Sequence, residues 1–160
     1  MRAYLAGPDV FRPDALAWAE AARALCHAHG VEALIPLDGN ASDAVGIYQQ
    51  NIAMIHAADV VLANLNAFRG AEPDSGTCFE VGFALALGKR VIGYVAERID
   101  TTTQVARWQA QDLTARDGRL FDRDGQQVEH FGLPLNLMLA VPAKIVEGDL
   151  AAALAALHAT

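Results

Sequence analysis

Two carboxylates, Asp74 and Glu80, stand six residues apart in the stretch "EPDSGTCFEVG", residues 72 to 82, at the expected start of an apolar helix. In a pocket, such a pair can act as a nucleophile and a partner acid. The same residues also have a structural interpretation. Residues 77–80 match the S/T-x-x-E capping box, and Asp74 could be an N-cap or a turn residue. Spacing alone leaves both interpretations open.

Backbone-permissive residues surround the two acids, namely Gly70, Pro73, Gly76 and Gly82. Because glycine has no Cβ atom, a ligand can approach the main chain closely at such positions. This density favours a binding site over a simple helix start.

Short apolar runs alternate with helical patterns along the chain, which predicts a parallel sheet with helices on both faces. The predicted strands are "RAYLAG", "VEALIPL", "VVLANL", "RVIGYV" and residues 143–147. The predicted helices lie between Pro13 and Gly30, at residues 43–58, at residues 76–87 and in the closing "DLAAALAALHA". We expect a doubly wound α/β fold with the strand order 2-1-3-4-5.

In the helix at residues 43–58, apolar side chains recur at spacings of three and four, at Val45, Tyr48, Ile52 and Ile55. This spacing predicts one buried stripe along the helix. Asn51 lies on the margin of the stripe.

Ligands of a doubly wound sheet bind beyond the carboxyl ends of the strands where the strand order reverses, here between strands one and three. The segments that leave these strands are "AGPDVF" and "NAFRGAEPDSGTCFE". Tyr4 should therefore meet Asp74 and Glu80 in one crevice, with Gly7 and Gly76 as candidate substrate contacts. Neither segment carries G-x-G-x-x-G or a P-loop, which favours a ligand smaller and less charged than a dinucleotide or a triphosphate.

The segment from 97 to 130 differs in composition, since it is rich in Arg, Asp, Gln and Thr. Turn signals at residues 117–118 and 124–125 are compatible with small hairpins or with a mobile flap. We expect a surface excursion from a single domain that spans residues 1–160.

Bulk properties exclude several classes of partner. The chain of 160 residues has a net charge of −7, which argues against binding the phosphate backbone of a nucleic acid. Its apolar runs are too short to span a membrane, and "MRAYLAGPDVF" does not resemble a secretory leader, so we expect a soluble, cytoplasmic protein. The two cysteines, Cys26 and Cys78, should be reduced thiols, and no motif indicates a metal.

Three ordered blocks resemble the nucleoside 2-deoxyribosyltransferases, particularly the branch of kinetoplastid and related bacterial enzymes. They are "YLAGPDVF", "NIAMIHAADVVLANLNAFRGAEPDSGTCFEVGFALALGK" and "FGLPLNLML", and from the first block to the last they span most of the chain. The resemblance implies a flavodoxin-like fold and transfer of 2-deoxyribose between nucleobases without a cofactor. It also implies a homo-oligomer whose active sites are shared between subunits.

Carried over by position, Glu80 resembles the nucleophile, Asp74 the acid that protonates the base, and Tyr4 the tyrosine that orients the nucleophile. Asn51 falls where the family often has an acidic or amide residue near the base. Asn136 resembles the residue that binds the sugar hydroxyls in a neighbouring subunit's site, with Met138 beside it.

Two rival functions remain at the level of sequence. If water replaces the acceptor base, the same chemistry makes a nucleoside or deoxynucleoside 5′-monophosphate N-glycosidase. Acids in "AGPDVFRPD" would repel a phosphate, which favours free nucleosides and nucleobases as ligands. The other rival is a non-catalytic ligand-binding module with the same fold, because a fold does not determine a function.

Overall fold

The computed structural model describes residues 1–158, and its main sheet has five parallel strands. These strands are β1 (Arg2–Ala6), β2 (Glu32–Leu34), β3 (Val60–Asn64), β4 (Arg90–Val95) and β8 (Lys144–Glu147). Their order, β2-β1-β3-β4-β8, is the predicted order 2-1-3-4-5. The helices are α1 (Ala15–Ala28), α2 (Ala44–Ala57), α3 (Ser75–Ala86), α4 (Thr101–Gln109), α5 (Leu137–Ala140) and α6 (Leu150–His158). The predicted flavodoxin-like α/β fold is confirmed.

Alternation along β1 divides the core between the two faces of the sheet, because successive strand side chains point to opposite faces. Leu5 packs in a buried cluster with residues of α1 and α6, such as Cys26 and Leu154. Tyr4 packs in a second buried cluster with residues of α2 and α3, such as Ile55 and Val81. Tyr4 therefore lies on the face of the sheet that α2 and α3 cover, as expected for a residue that meets Asp74 and Glu80.

The predicted buried stripe along α2 is wrong over the first half of the helix. Val45 and Tyr48 are 65% and 55% exposed, whereas Ile55 is fully buried. Only the C-terminal half of α2 packs into the core. The N-terminal half borders a crevice, which Ile47 helps to line. The spacing of apolar residues predicted the helix correctly. It could not show that only the C-terminal half of the helix packs against the core.

Residues 97–130 form α4 and a small antiparallel sheet of β5 (Thr114–Arg116), β6 (Arg119–Phe121) and β7 (Gln127–Val128). Asp117 and Gly118, which join β5 to β6, both have positive φ, as a type I′ hairpin requires. Small hairpins were one of the two alternatives that the sequence left open for this segment, and the structure forms them. Helix α4 was not predicted from its Thr-rich sequence. Its N-cap is Asp100, whose side chain accepts a hydrogen bond from the Thr103 backbone amide.

Both cysteines are free thiols on helices. Cys26 in α1 is buried and Cys78 in α3 is half-buried, and this burial raises the pKa of each thiol. Within residues 1–158, no helix is both long and apolar enough to cross a bilayer.

Candidate active site

A crevice of about 450 Å³ lies at the carboxyl edge of the main sheet. Its walls are the 3₁₀ turn Pro8–Phe11 after β1, the loop after β2, the side of α2 and the first turns of α3. Asp74 and Glu80 both line it, as do Gly7, Gly76 and Asn51. The structure therefore brings five of the predicted site residues to one cavity.

A larger and more open depression of about 660 Å³ lies beside the edge strand β2. Arg23 and Asp38 line it, and they are already paired with each other. It contains no pair of acids near a tyrosine, so we assign the chemistry to the smaller crevice.

Glu80 and Tyr4 form a short hydrogen bond, in which the Tyr4 hydroxyl donates to Oε1 of Glu80 over 2.6 Å. Tyr4 is fully buried on β1, and its ring holds the hydroxyl under the second turn of α3. Burial is the main cause that raises the pKa of Glu80 to about 7, the charge of Asp74 adds to it, and the Tyr4 hydrogen bond opposes it. Burial and the neighbouring Glu80 raise the pKa of Tyr4 well above its usual value, so this hydroxyl remains a donor.

The capping-box interpretation of Glu80 is wrong, because α3 begins one turn earlier than that box requires. Asp74 is the N-cap, and its Oδ2 accepts hydrogen bonds from the Thr77 backbone amide at 2.9 Å and from the Thr77 hydroxyl at 3.0 Å. Among residues 1–158, no backbone amide donates to the carboxylate of Glu80, which accepts from Tyr4 instead. Asp74 still has its other oxygen, Oδ1, for a ligand in the crevice.

Asn51 contributes an unusual polar group to the crevice wall. Its Oδ1 is buried and makes no hydrogen bond with any of the residues that the structure describes. A buried acceptor without a partner costs on the order of 1 to 3 kcal/mol. A stability cost of this kind is common where a site is prepared for a ligand.

The two candidate glycines differ in how tightly their neighbours pack. A Cβ atom at Gly7 would lie 2.8 Å from Cβ of Asn64, too close to be accommodated without a shift, and one at Gly76 would lie 3.1 Å from Oδ2 of Asp74, a tight contact. Gly7 therefore packs against Asn64, and Gly76 packs against the Asp74 carboxylate.

Asn136 and Met138 do not reach this crevice within their own chain. Asn136 is the N-cap of α5, its Nδ2 donates to Oε1 of Glu129 over 2.8 Å, and its Oδ1 accepts from the Met138 backbone amide. Met138 is 72% exposed. Their predicted contact with a neighbouring subunit's site stays a prediction.

Sequence reasoning missed much of the crevice wall. Val10 and Phe11 come from the turn after β1, Leu37 and Gly39 from the loop after β2, and Gln50 from α2. Pro8, which opens the 3₁₀ turn, was the available signal for the first pair. In the described part of the chain, no Lys or Arg lines the crevice. Within residues 1–158, no group of His, Cys, Asp or Glu is arranged to hold a metal ion.

Comparison with known proteins agrees with this fold. The family model for nucleoside 2-deoxyribosyltransferase matches residues 3–138. A solved 2-deoxyribosyltransferase from Leishmania mexicana is 38% identical, with 99% of each chain covered and a TM-score of 0.81. A 2-deoxyribosyltransferase from Bacillus psychrosaccharolyticus, 19% identical over 74% of this chain and 88% of that one, has a TM-score of 0.50 and supports the fold alone. An uncharacterized protein of Schizosaccharomyces pombe is 28% identical over 154 residues, 84% of this chain and 73% of its own length.

The family match and the similarity to the Leishmania mexicana structure support a nucleoside-modifying enzyme. The chain belongs to the nucleoside 2-deoxyribosyltransferase family.

Proposed function

We propose that this protein transfers 2-deoxyribose between the nucleobases of 2′-deoxynucleosides by double displacement. The observation that carries the proposal is the Glu80 carboxyl group, which is half-buried, lines the crevice together with Asp74 and accepts a hydrogen bond from the Tyr4 hydroxyl. A partly desolvated carboxylate in a fixed orientation is suited to attack an anomeric carbon.

In the first step, a carboxylate oxygen of Glu80 forms a bond to C1′ while the N-glycosidic bond breaks. The electron pair of that bond leaves with the base, and Asp74 gives the base a proton, so that it departs neutral. The product is a deoxyribosyl ester of Glu80. In the second step, an incoming base attacks C1′, its proton goes to Asp74, and the carboxylate of Glu80 is released. Two inversions restore the original anomeric configuration.

The remaining crevice residues would bind the substrate. Within residues 1–158, Oδ1 of Asn51 is a buried acceptor without a partner, which fits a donor on the base after a small side-chain movement. Gly7 and Gly76 line the crevice with main chain, against which the sugar and the base would lie. The absence of Lys and Arg from the crevice lining favours free nucleosides over nucleotides, because a phosphate requires cationic or multiple amide donors. The mechanism uses no cofactor, and the exchange would serve nucleotide salvage in the cytoplasm.

Incubation with a deoxynucleoside and a second free base tests the function by its product. We expect a new deoxynucleoside, and we expect the matching ribonucleoside to react far more slowly. Release of free deoxyribose without exchange would identify a hydrolase. No reaction together with saturable ligand binding would identify a binding module. Equal rates with ribose and deoxyribose would indicate a different class of glycosidase.

The shared proton of Asp74 and Glu80 sets the expected pH dependence. The productive form has an ionised Glu80 and a protonated Asp74, so the pair must hold one proton. Burial and the charge of Asp74 raise the pKa of Glu80 to about 7, so Glu80 loses its proton near that pH. We expect kcat/KM to fall as the pH rises through about 7 in an exchange assay run between about pH 5 and pH 9. A rate that rises over this range would show that Asp74 supplies no proton.

Tyr4→Phe removes the hydrogen bond that lowers the pKa of Glu80. The falling part of the pH profile should therefore move to higher pH, and kcat/KM should drop about 10- to 100-fold because the nucleophile is no longer oriented. Tyr48→Phe is the matched control, since Tyr48 does not line the crevice and the substitution keeps the exposed ring that packs on Phe79. If the pH profile of Tyr4→Phe were unshifted, Tyr4 would only pack in the core and would not act on Glu80.

We also propose that the protein is a homo-oligomer with shared sites. Large apolar side chains are exposed on α2, α3 and α5, at Val45, Tyr48, Phe79, Met138 and Val141. The Tyr48 and Phe79 rings lie 6.3 Å apart, so these side chains include a contiguous aromatic pair. Exposed apolar patches of this kind favour a contact between chains. Asn136 keeps one amide hydrogen and one lone pair that its contacts within the chain do not use, which suits a sugar hydroxyl.

Mixing two inactive variants tests the shared site. In a mixture of Glu80→Ala and Asn136→Ala chains, some sites combine a native Glu80 with a native Asn136 from the other chain. We expect recovery of about a quarter of the wild-type sites if the assembly is a dimer with random pairing. Mixed oligomers confirmed by mass spectrometry that stay inactive would show that Asn136 serves its own chain or no site at all.

A further inference from the structure

We infer that Asp9 is a positioning residue that, through Asn64 and Asn66, holds the Pro8–Phe11 turn as the substrate-binding wall of the crevice. The inference deepens the proposed function and rests on it. Asp9 does not line the crevice, and it lies on the side of the turn that faces away from Glu80.

The three side chains form one continuous chain of hydrogen bonds across the carboxyl edge of the sheet. Nδ2 of Asn64 donates to Oδ2 of Asp9 over 2.7 Å, and Nδ2 of Asn66 donates to Oδ1 of Asn64 over 2.7 Å. The Ala96 backbone amide in turn donates to Oδ1 of Asn66 over 2.8 Å. The chain, which we call the edge latch, joins the segments that follow β1, β3 and β4.

The turn needs this latch because little packs behind it. A cavity of about 380 Å³ lies on the α1 and α6 face of the sheet, and Asp9, Asn64, Asn66 and Tyr94 all line it. The edge latch is thus the partition between this cavity and the crevice. Asp9 is nevertheless only 8% exposed, and a carboxylate that is so buried requires fixed donors.

The latch also fits the crevice side closely. A Cβ atom at Gly7 would lie 2.8 Å from Cβ of Asn64 and 3.0 Å from Oδ2 of Asp9, so the main chain of the turn rests on the latch. On the outer side, Phe11 stacks on Phe68 with ring centroids 5.7 Å apart. Release of Asp9 should therefore move Val10 and Phe11, which line the crevice, and leave Tyr4, Asp74 and Glu80 in place.

The edge latch predicts a separation between substrate binding and chemistry. Asp9→Leu has no acceptor for Asn64, and we expect it to raise KM for the deoxynucleoside about tenfold while kcat stays within about threefold. Asp9→Asn retains an acceptor oxygen and should stay close to wild type. Asn64→Asp places a second carboxylate beside that of Asp9. The two charges repel each other and no hydrogen bond joins them, so KM should rise as in Asp9→Leu.

The double variant that combines Asp9→Asn with Asn64→Asp is the decisive test. It exchanges the carboxylate and the amide, and every hydrogen bond of the latch can form again, so KM should return to within about threefold of wild type. Asp59→Asn is the control, because Asp59 also connects β3 to β1, through the Arg2 backbone amide, but at the opposite edge of the sheet. Its KM should be unchanged.

Hydrogen exchange of the backbone amides of residues 7–12 provides a readout that needs no catalysis. Exchange should accelerate in Asp9→Leu and Asn64→Asp and return to the wild-type rate in the double variant. If the wild type lacked activity but showed this pattern, the proposed function would fail and the latch would stand. An unchanged KM and unchanged exchange in Asp9→Leu, or a double variant no better than Asn64→Asp alone, would overturn the latch.

Discussion

Glu80→Gln should abolish base exchange and at the same time make the protein more stable near pH 8. The amide cannot form the glycosyl ester, so activity should fall below about a hundredth of wild type. The stability gain follows from the raised pKa of Glu80, which is about 7 in the folded protein against 4.5 for an ordinary glutamate. As the pH rises from about 4.5 to about 7, the unfolded chain releases this proton before the folded chain does, and the folded state loses stability.

The size of the effect makes it measurable. The shift corresponds to on the order of 2 to 3 kcal/mol of unfolding free energy above about pH 7, and to almost none near pH 4. Urea unfolding of both proteins at the two pH values gives the difference directly. The Tyr4 hydroxyl can still donate to the side-chain oxygen of the new amide, so the variant should keep the native contact.

Glu20→Gln is the matched control, because Glu20 is exposed on α1 and does not line the crevice, so its substitution should leave activity and stability close to wild type. A capping role for Glu80 predicts the reverse outcome, namely a loss of about 1 kcal/mol of stability with activity largely retained. Exchange above a hundredth of wild type would end the assignment of Glu80 as nucleophile.

Asp74→Asn should separate the two roles of Asp74. Asparagine is as good an N-cap as aspartate, so its side-chain oxygen can still accept from the Thr77 backbone amide and hydroxyl. It cannot give a proton to the departing base, and we expect kcat/KM to fall about 10²- to 10⁴-fold with little change in the free energy of unfolding. Exchange kinetics and denaturant unfolding of the same preparation test both expectations.

Asp100→Asn supplies the control for this comparison. Asp100 caps α4 in the same manner, since its Oδ1 accepts from the Thr103 backbone amide at 2.7 Å and from the Thr102 hydroxyl at 2.6 Å. It does not line the crevice, so its substitution should leave exchange unchanged. If Asp74→Asn retained more than about a tenth of wild-type activity, the proton would have to come from another group. A loss of stability much larger than that of Asp100→Asn would show that the lost activity reflects unfolding.

The pattern of apolar runs was sufficient for the main sheet. A strand of a parallel sheet is buried on both faces, so its sequence is a short continuous apolar run, as in β3 and β4. Helix α2 shows the limit of this reasoning. Its spacing is equally regular at Val45 and at Ile55, but the first is 65% exposed and the second is fully buried. Periodicity reports which residues share a face, whereas burial depends on what packs against that face.

Local periodicity and short spacing were sufficient to predict the strands and the proximity of Asp74 and Glu80. The strand order, and with it the edge of the sheet where a site should lie, followed from the fold class that this alternation of strands and helices indicates. Which of the two acids is the N-cap, and which one meets Tyr4, a residue 76 positions from Glu80, depends on the packing of β1 against α3 and was visible only in the folded chain. The tertiary structure also decided the raised pKa of Glu80, since burial is a property of everything packed around a group. The edge latch also depends on the tertiary structure, because Asp9 and Asn64 are 55 positions apart and meet only when β1 and β3 pair.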